Sequence, residues 1–220
     1  MHPLSAASTM SGVSAGAELS GIVLAAGEAR RFGSDKLLAL IDGRPVLAHL
    51  LRTVRAVCDE GVLGGFLVVT PDAHGAVAEL ARAYGAAVVV NADRSGLASS
   101  VRAGLHALGA RREADVPAAA VLFLGDQPGV SAATVAALAA AWRAGGARAV
   151  RPRYAAEPEV PGHPLLLDRR AWPLADALDG DSGFGPLFAN ARLRAEVIHR
   201  PGRNPDVDVP ADLTLRQERR

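Results

Sequence analysis

The side chains that could do chemistry in this chain are two bases on a small-residue loop, Arg31 and Lys36, and three carboxylates far downstream, Asp126, Asp206 and Asp208. Residues 21–36 read GIVLAAGEARRFGSDK: a short apolar strand (Ile22, Val23, Leu24), the small residues Ala25, Ala26 and Gly27, then Arg31, Gly33 and Lys36. Small side chains let a ligand approach the backbone, and Gly33 can take a positive φ that keeps the loop tight. Arg31 offers a planar fork of donors to phosphate oxygens, whereas Lys36 offers a compact, mobile charge. A strand feeding such a loop suits a polyphosphate. Neither GxGxxG nor GxxxxGK[ST] is present here, so the ordinary dinucleotide and P-loop signatures are excluded.

The carboxylates suit a complementary task. Ala118 to Leu124 is the most apolar strand and ends in Gly125-Asp126-Gln127-Pro128. In an open parallel sheet, ligands sit beyond the carboxyl ends of the strands, which is where Asp126 emerges. A carboxylate there can hold magnesium, which takes one or two protein carboxylates and fills its other positions with phosphate oxygens and water. Taken alone, an Asp after a strand is more often a turn residue or cap. Asp206 and Asp208 alternate with Val207 and Val209, so in extended chain both leave on one face. Spacing does not choose between them. Ser99 and Ser100 fall in the first turn of a helix, where N-capping is the ordinary role. Gly162-His163-Pro164 precedes the apolar run Leu165 to Leu167.

LAAG-x-x-x-R-F-G-x-x-K, then GDQP, GHP and NPDVDVPADL, resembles in content and order the nucleotidyltransferases related to the molybdenum cofactor guanylyl- and cytidylyltransferases. The resemblance implies a three-layer α/β/α Rossmann-like nucleotidyltransferase fold with a mostly parallel sheet. It implies transfer of CMP from CTP to the terminal phosphate of molybdopterin, with release of pyrophosphate. Leu24, Ala25, Ala26, Gly27, Arg31, Lys36 and Ser99 would bind the nucleotide, and Arg31, Lys36 and Asp126 would be catalytic. Mg2+ would sit on Asp126 with Asp206 or Asp208, and Gly162 and His163 would face the acceptor. A transient contact with a molybdoenzyme or its chaperone is also implied. CTP is favoured over GTP because guanylyl-transferring relatives usually read LAGG, whereas Ala26 adds a methyl group. The alternatives are guanylyl transfer from GTP and, from a different class, a protein that binds and delivers a pterin cofactor without transferring anything. Two departures stand out. Ala29 occupies a place where relatives often carry Ser, and DGDSGFG (residues 179–185) replaces the usual Gly-Asp-x-Gly-Ala-Arg, removing an Arg that could anchor an anionic acceptor. Arg192 and Arg194 follow, but nothing in the sequence makes either a substitute.

The elements that must hold these residues alternate. With 220 residues, half of them apolar, the chain is most simply one α/β domain. Val46, Leu47, Leu50, Leu51, Val54 and Val57 form the buried stripe of a helix starting near Pro45. A strand over Phe66 to Thr70, a helix over Ala73 to Tyr84 and a strand over Ala86 to Val90 follow. Next come a helix facing inward with Val101, Leu105 and Leu108, the Ala118 to Leu124 strand, a helix over Ser131 to Trp142 and a strand over Ala147 to Arg153. Such alternation predicts parallel pairing through right-handed crossovers. After Tyr154 it breaks, and residues 154–200 read as an acceptor-side insertion that includes a late strand over Leu193 to His199. Pro210 starts a terminal helix. The Ala-, Ser- and Gly-rich residues 1–19 read as a disordered tail ahead of a domain over 20–215. A net charge of +1 gives no reason to invoke nucleic acid or a membrane surface. The single cysteine, Cys58, reads as core and as a sign of a reducing compartment; residues 1–20 show no basic leader or apolar run of signal-peptide length and nothing later reaches membrane-span length, so a cytoplasmic protein is expected.

Overall fold

A computed structural model describes residues 13–14, 16–27, 36–93, 95–159, 162–208 and 211–213. The first apolar run becomes β1 (Leu19–Leu24), followed by a small hairpin of β2 (Leu40–Ile41) and β3 (Arg44–Pro45) and then α1 (Val46–Asp59). β4 (Phe66–Thr70), α2 (Ala76–Ala83), β5 (Ala87–Val90), α3 (Leu97–Gly109), β6 (Ala119–Leu124) and α4 (Ala132–Gly145) continue the alternation. β7 (Ala149–Tyr154), β8 (Leu165–Asp168), a 3-10 segment (Arg169–Ala177), α5 (Gly185–Ala189) and β9 (Glu196–Arg200) close it.

Seven strands form one sheet in the order β5-β4-β1-β6-β8-β7-β9. Only β8 runs against its neighbours, antiparallel to both β6 and β7, while every other pairing in this sheet is parallel. The inner strands β1, β4, β6 and β8 are buried on both faces, as their largely apolar sequences require, whereas the edge strands β5 and β9 are partly exposed. Period-two alternation divides them: Val23, Val68 and Phe123 pack with α1, α2 and α4, whereas Ile22, Leu67 and Leu122 pack with α3 and the 3-10 segment. The three-layer α/β expectation holds.

The segment after Tyr154 is part of the sheet, not an appendage. β8 lies between β6 and β7, and it runs antiparallel to β7 because the connection over 155–164 is shorter than the dozen or so residues a parallel crossover needs. The expected tail is also corrected in its last residues. Val13 bridges Gly65, the Ser14 N–H donates to the Gly64 carbonyl at 2.7 Å, and Leu19, already in β1, is 1% exposed. Apolar side chains at 13 and 19 give this stretch something to bury. The helix expected from Ala73 starts at Ala76 because the Asp72 carboxylate accepts the His74 N–H at 2.9 Å, holding a turn ahead of the helix. Cys58 is half-buried against the core, and burial pushes its thiol up to about 11. No helix among the described residues is long and apolar enough to cross a membrane.

Candidate active site

Register brings the first loop and Asp126 together. Leu24 pairs with Leu124, the last residues of β1 and β6, and the Gly125 N–H donates to the Leu24 carbonyl at 3.0 Å. Ala25 to Gly27 and Asp126 therefore leave the sheet side by side at its carboxyl edge. Residues 206–208 are tied to the same place. Val207 is fully buried with Ile41 and Val46, and its N–H donates to the Asp126 carbonyl at 3.0 Å. Burying the valine sets Asp206 and Asp208 on either side of it.

The Lys36 ammonium occupies the meeting point. It donates to Asp126 Oδ2 at 2.6 Å and to Asp208 Oδ1 at 3.3 Å. Burial pushes the Lys36 pKa down, but the hydrogen bonds and charges of Asp126 and Asp208 outweigh it and leave it above the ordinary lysine value. Asp206 is placed differently. Its Oδ1 accepts from Gln127 Nε2 at 2.6 Å, and desolvation, with the charges of Asp126 and Asp208, raises its pKa against the pull of Gln127 and Lys36. Gln127 is itself buried and accepts through Oε1 from Asn204 Nδ2 at 2.9 Å, and Asn204 Nδ2 also lies 3.2 Å from the His163 carbonyl. These amides fix the carboxylate end of the site. Among the described residues no three His, Cys, Asp or Glu side chains converge as metal ligands. Asp126 and Asp208, sharing one cation, are the pair a hard divalent ion could use.

A pocket of about 450 Å³ opens beside them, walled by Ala26 and Gly27, by Asp93, Ser100 and Asp181, and by Asp126. The expected nucleotide residues divide here. Leu24, Ala26 and Gly27 line the pocket, whereas Ala25 is buried and points its backbone N–H to the Val69 carbonyl at 2.9 Å. Arg31 and Gly33 lie outside the described residues. Lys36, expected on the triphosphate, is turned to the carboxylates. Ser100 lines the pocket in place of Ser99. The Ser99 hydroxyl accepts from Asn91 Nδ2 at 2.9 Å and lies 2.9 and 2.8 Å from the Asp93 and Gly96 carbonyls, so its role is to hold the turn into α3.

A second cavity of about 190 Å³ shares Leu24, Leu97 and Leu124 with the first and holds His163 on its wall. Gly162 is not on that wall; its N–H donates to the Pro152 carbonyl at 2.8 Å, and a Cβ there would meet Tyr154 at 3.0 Å. The altered segment 179–185 divides the two spaces, with Asp181 facing the first and Ser182 to Gly185 lining the second. Sequence reading missed Asp181, Gln127, Asn204 and Arg151. Gln127 adjoins Asp126 in the GDQP stretch, which was a usable signal, but the others are isolated polar residues whose partners lie far along the chain.

The family model described as the MobA-like NTP transferase domain matches residues 21–197. The bifunctional protein GlmU of Rhodopseudomonas palustris (strain BisB5) is 37% identical over 193 residues, covering 82% of this chain and 41% of the relative. The chain thus spans about two fifths of that relative's length. A molybdenum cofactor guanylyltransferase of Desulfosudis oleivorans is 44% identical over 46 residues, 20% of this chain and 23% of the relative. Among solved structures, Rv0371c from Mycobacterium tuberculosis H37Rv matches with a TM-score of 0.71 and 28% identity, over 92% of this chain and 98% of that one. A manganese complex of the same protein matches with a TM-score of 0.70 and 26% identity, over 92% of this chain and 100% of that one.

Proposed function

The chain belongs to the MobA-like NTP transferase domain family, and from that premise we propose that it transfers CMP from CTP to the terminal phosphate of a molybdopterin-type acceptor. The observation that carries the proposal is the meeting of Lys36 with Asp126 and Asp208 at the mouth of a pocket walled by Ala26 and Gly27. Positive and negative groups that can serve a metal-bound triphosphate stand together there, beyond the carboxyl ends of parallel strands.

The acceptor phosphate attacks the α-phosphorus, a new P–O bond forms, and the bond to the β-phosphate breaks as pyrophosphate leaves with its electron pair. Such transfer is mostly positioning and charge neutralisation. Ala26 and Gly27 let the nucleotide lie against the loop backbone. Lys36 and, on the motif alone, Arg31 offset the charge of the leaving pyrophosphate. Asp126 and Asp208 would hold a divalent cation; their oxygen donors fit magnesium or manganese. When bound, the ion draws charge from the triphosphate oxygens. An ionised acceptor phosphate needs no protein base.

Ala26 supports CTP, since a methyl group where the loop meets the base leaves less room for a purine. The molybdenum cofactor guanylyltransferase match supports the acceptor. Pyrophosphate release with each of the four nucleoside triphosphates, with molybdenum cofactor supplied, is the test. CTP should be preferred by about tenfold or more, since one misfitted methyl is worth about 1–3 kcal/mol. Ala26→Gly should move the preference toward GTP. A wild-type preference for GTP overturns the cytidylyl reading, and no release with any triphosphate overturns transfer itself.

A further inference from the structure

Two buried amides stand behind the carboxylates of the candidate site, and nothing in the transfer step uses them. Gln127 is 6% exposed and Asn204 is 5% exposed. Asn204 Nδ2 is within reach of two oxygens, Gln127 Oε1 at 2.9 Å and the His163 carbonyl at 3.2 Å. That carbonyl belongs to the backbone and also accepts from Tyr154 Oη at 3.0 Å, so it can act only as an acceptor. Turning the Asn204 amide over would set its oxygen against two acceptors. Its nitrogen therefore faces Gln127, Gln127 must answer with Oε1, and Nε2 is left to donate to Asp206 Oδ1 at 2.6 Å. This orientation leaves Asn204 Oδ1 buried with no partner among the described residues. A backbone carbonyl thus fixes, through two side chains, a donor aimed at Asp206.

We propose that Gln127 and Asn204 are positioning residues and Asp206 the tie they hold, keeping Asp208 across from Asp126 when a cation takes the place of Lys36. The proposal rests on the nucleotidyl-transfer reading, in which those two carboxylates share the ion. They come from distant segments, the end of β6 and residues 206–208, and Lys36 bridges them. Once the lysine turns to the phosphates, like charges face each other. Among the described residues, the links left between the segments are the Val207 N–H on the Asp126 carbonyl at 3.0 Å and the clasp of Asn204 and Asp206 on either side of Gln127. Asp206 commits Oδ1 to that clasp, whereas Asp208 faces the lysine, which assigns the ion to Asp208 and the tie to Asp206.

The experiment is calorimetric titration of Mn2+ into the full chain and its variants, with circular dichroism to establish folding. Wild type should bind Mn2+ saturably. Gln127→Met keeps the length of the side chain but cannot donate, and Asn204→Leu removes the group that turns Gln127. Each should weaken binding by about tenfold or more, the usual loss when a partner that orients a metal ligand is removed. Asp206→Ala should lose at least as much, and adding Gln127→Met to it should have no further effect, because both remove one link. The deciding variant exchanges the two groups, Gln127→Glu with Asp206→Asn. The amide introduced at 206 then donates to the carboxylate introduced at 127, which still accepts from Asn204, so the clasp and the net charge are kept while the carboxylate leaves 206. Binding should stay within about threefold of wild type, well short of the loss from an unheld ligand. Should either buried amide variant fail to fold, Asp206→Ala against the exchange variant carries the same test. An exchange variant as weak as Asp206→Ala would make Asp206 a ligand and overturn the proposal, as would unchanged binding in folded Gln127→Met, additive losses in the double variant, or no Mn2+ binding by wild type. The titration needs no turnover, so Mn2+ binding that follows the clasp without pyrophosphate release supports this assignment and counts against the transfer reading alone. Pyrophosphate release with Mn2+ binding indifferent to the clasp does the reverse.

Discussion

Lys36 neutralises Asp126 and Asp208 at the place where a divalent ion would do the same. Two cations competing for one pair of carboxylates have opposite effects on binding and on rate. Replacing Lys36 by Met removes the competitor, so Mn2+ should bind the nucleotide-free protein more tightly, as read by calorimetry. It also removes a charge that would meet the leaving pyrophosphate, so turnover should fall by about a hundredfold or more, as for other groups that stabilise developing charge. Circular dichroism should be unchanged. Weaker Mn2+ binding in the variant would mean that Lys36 organises the carboxylates and does not compete with the metal.

The loop over 179–183 is packed on the first turn of α3. Asp181 Oδ1 accepts the Leu97 N–H at 3.2 Å, and the Gly180 carbonyl accepts the Ala98 N–H at 2.9 Å, which satisfies two of the unpaired donors at the helix start. The start of α3 is therefore already capped by protein groups. Gly96 makes this docking possible: its φ is +119°, and a Cβ there would stand 2.5 Å from the Gly180 carbonyl carbon. Gly96→Ala should cost about 1–3 kcal/mol from backbone strain alone, lower Tm by several degrees and weaken CTP binding, since the displaced loop walls the first pocket. Ser131→Ala is the control. It removes the side-chain cap that accepts the Thr134 N–H at 3.2 Å, at about 1 kcal/mol, and should leave the CTP affinity as it was. Equal binding losses in the two variants would reduce the loop to a generic contributor to stability.

Across the whole molecule, stability is linked to pH through His163. Its folded pKa lies near 4, below the ordinary value of about 6.5, so the unfolded chain binds the extra proton between those values. The neutral form therefore stabilises the fold fully above about pH 6.5, and this contribution is lost as pH falls toward 4. Thermal unfolding of wild type and His163→Gln, followed from pH 7 to 4.5, should show the steeper fall in wild type, because carboxylate titration is common to both. Parallel curves would mean that His163 takes up its proton without unfolding. The carbonyl of the same residue ties the end of β7 to the segment that carries Asp206: Tyr154 Oη donates to it at 3.0 Å and Asn204 Nδ2 at 3.2 Å.

The sequence by itself determined what is local. Alternating apolar runs and helical stripes specify strands, helices and their order, and a small-residue loop after the first strand with an Asp after the most apolar one points to the edge where the candidate site lies. Burial period and turn chemistry act within a few residues, so they can be read directly. The reversed β8 was within reach through its short connection, although an apolar run such as Leu165 to Leu167 carries no direction of its own. Only the tertiary structure decided the rest. Lys36 finds Asp126 and Asp208 across 90 and 172 positions, Asp208 shares that lysine while Asp206 turns to Gln127, Ser100 faces the pocket while Ser99 holds a turn, and Arg151 enters a cavity closed by α5. Each of these depends on which face of one element meets another, and that is set by packing summed over the whole core, which no short stretch of chain contains.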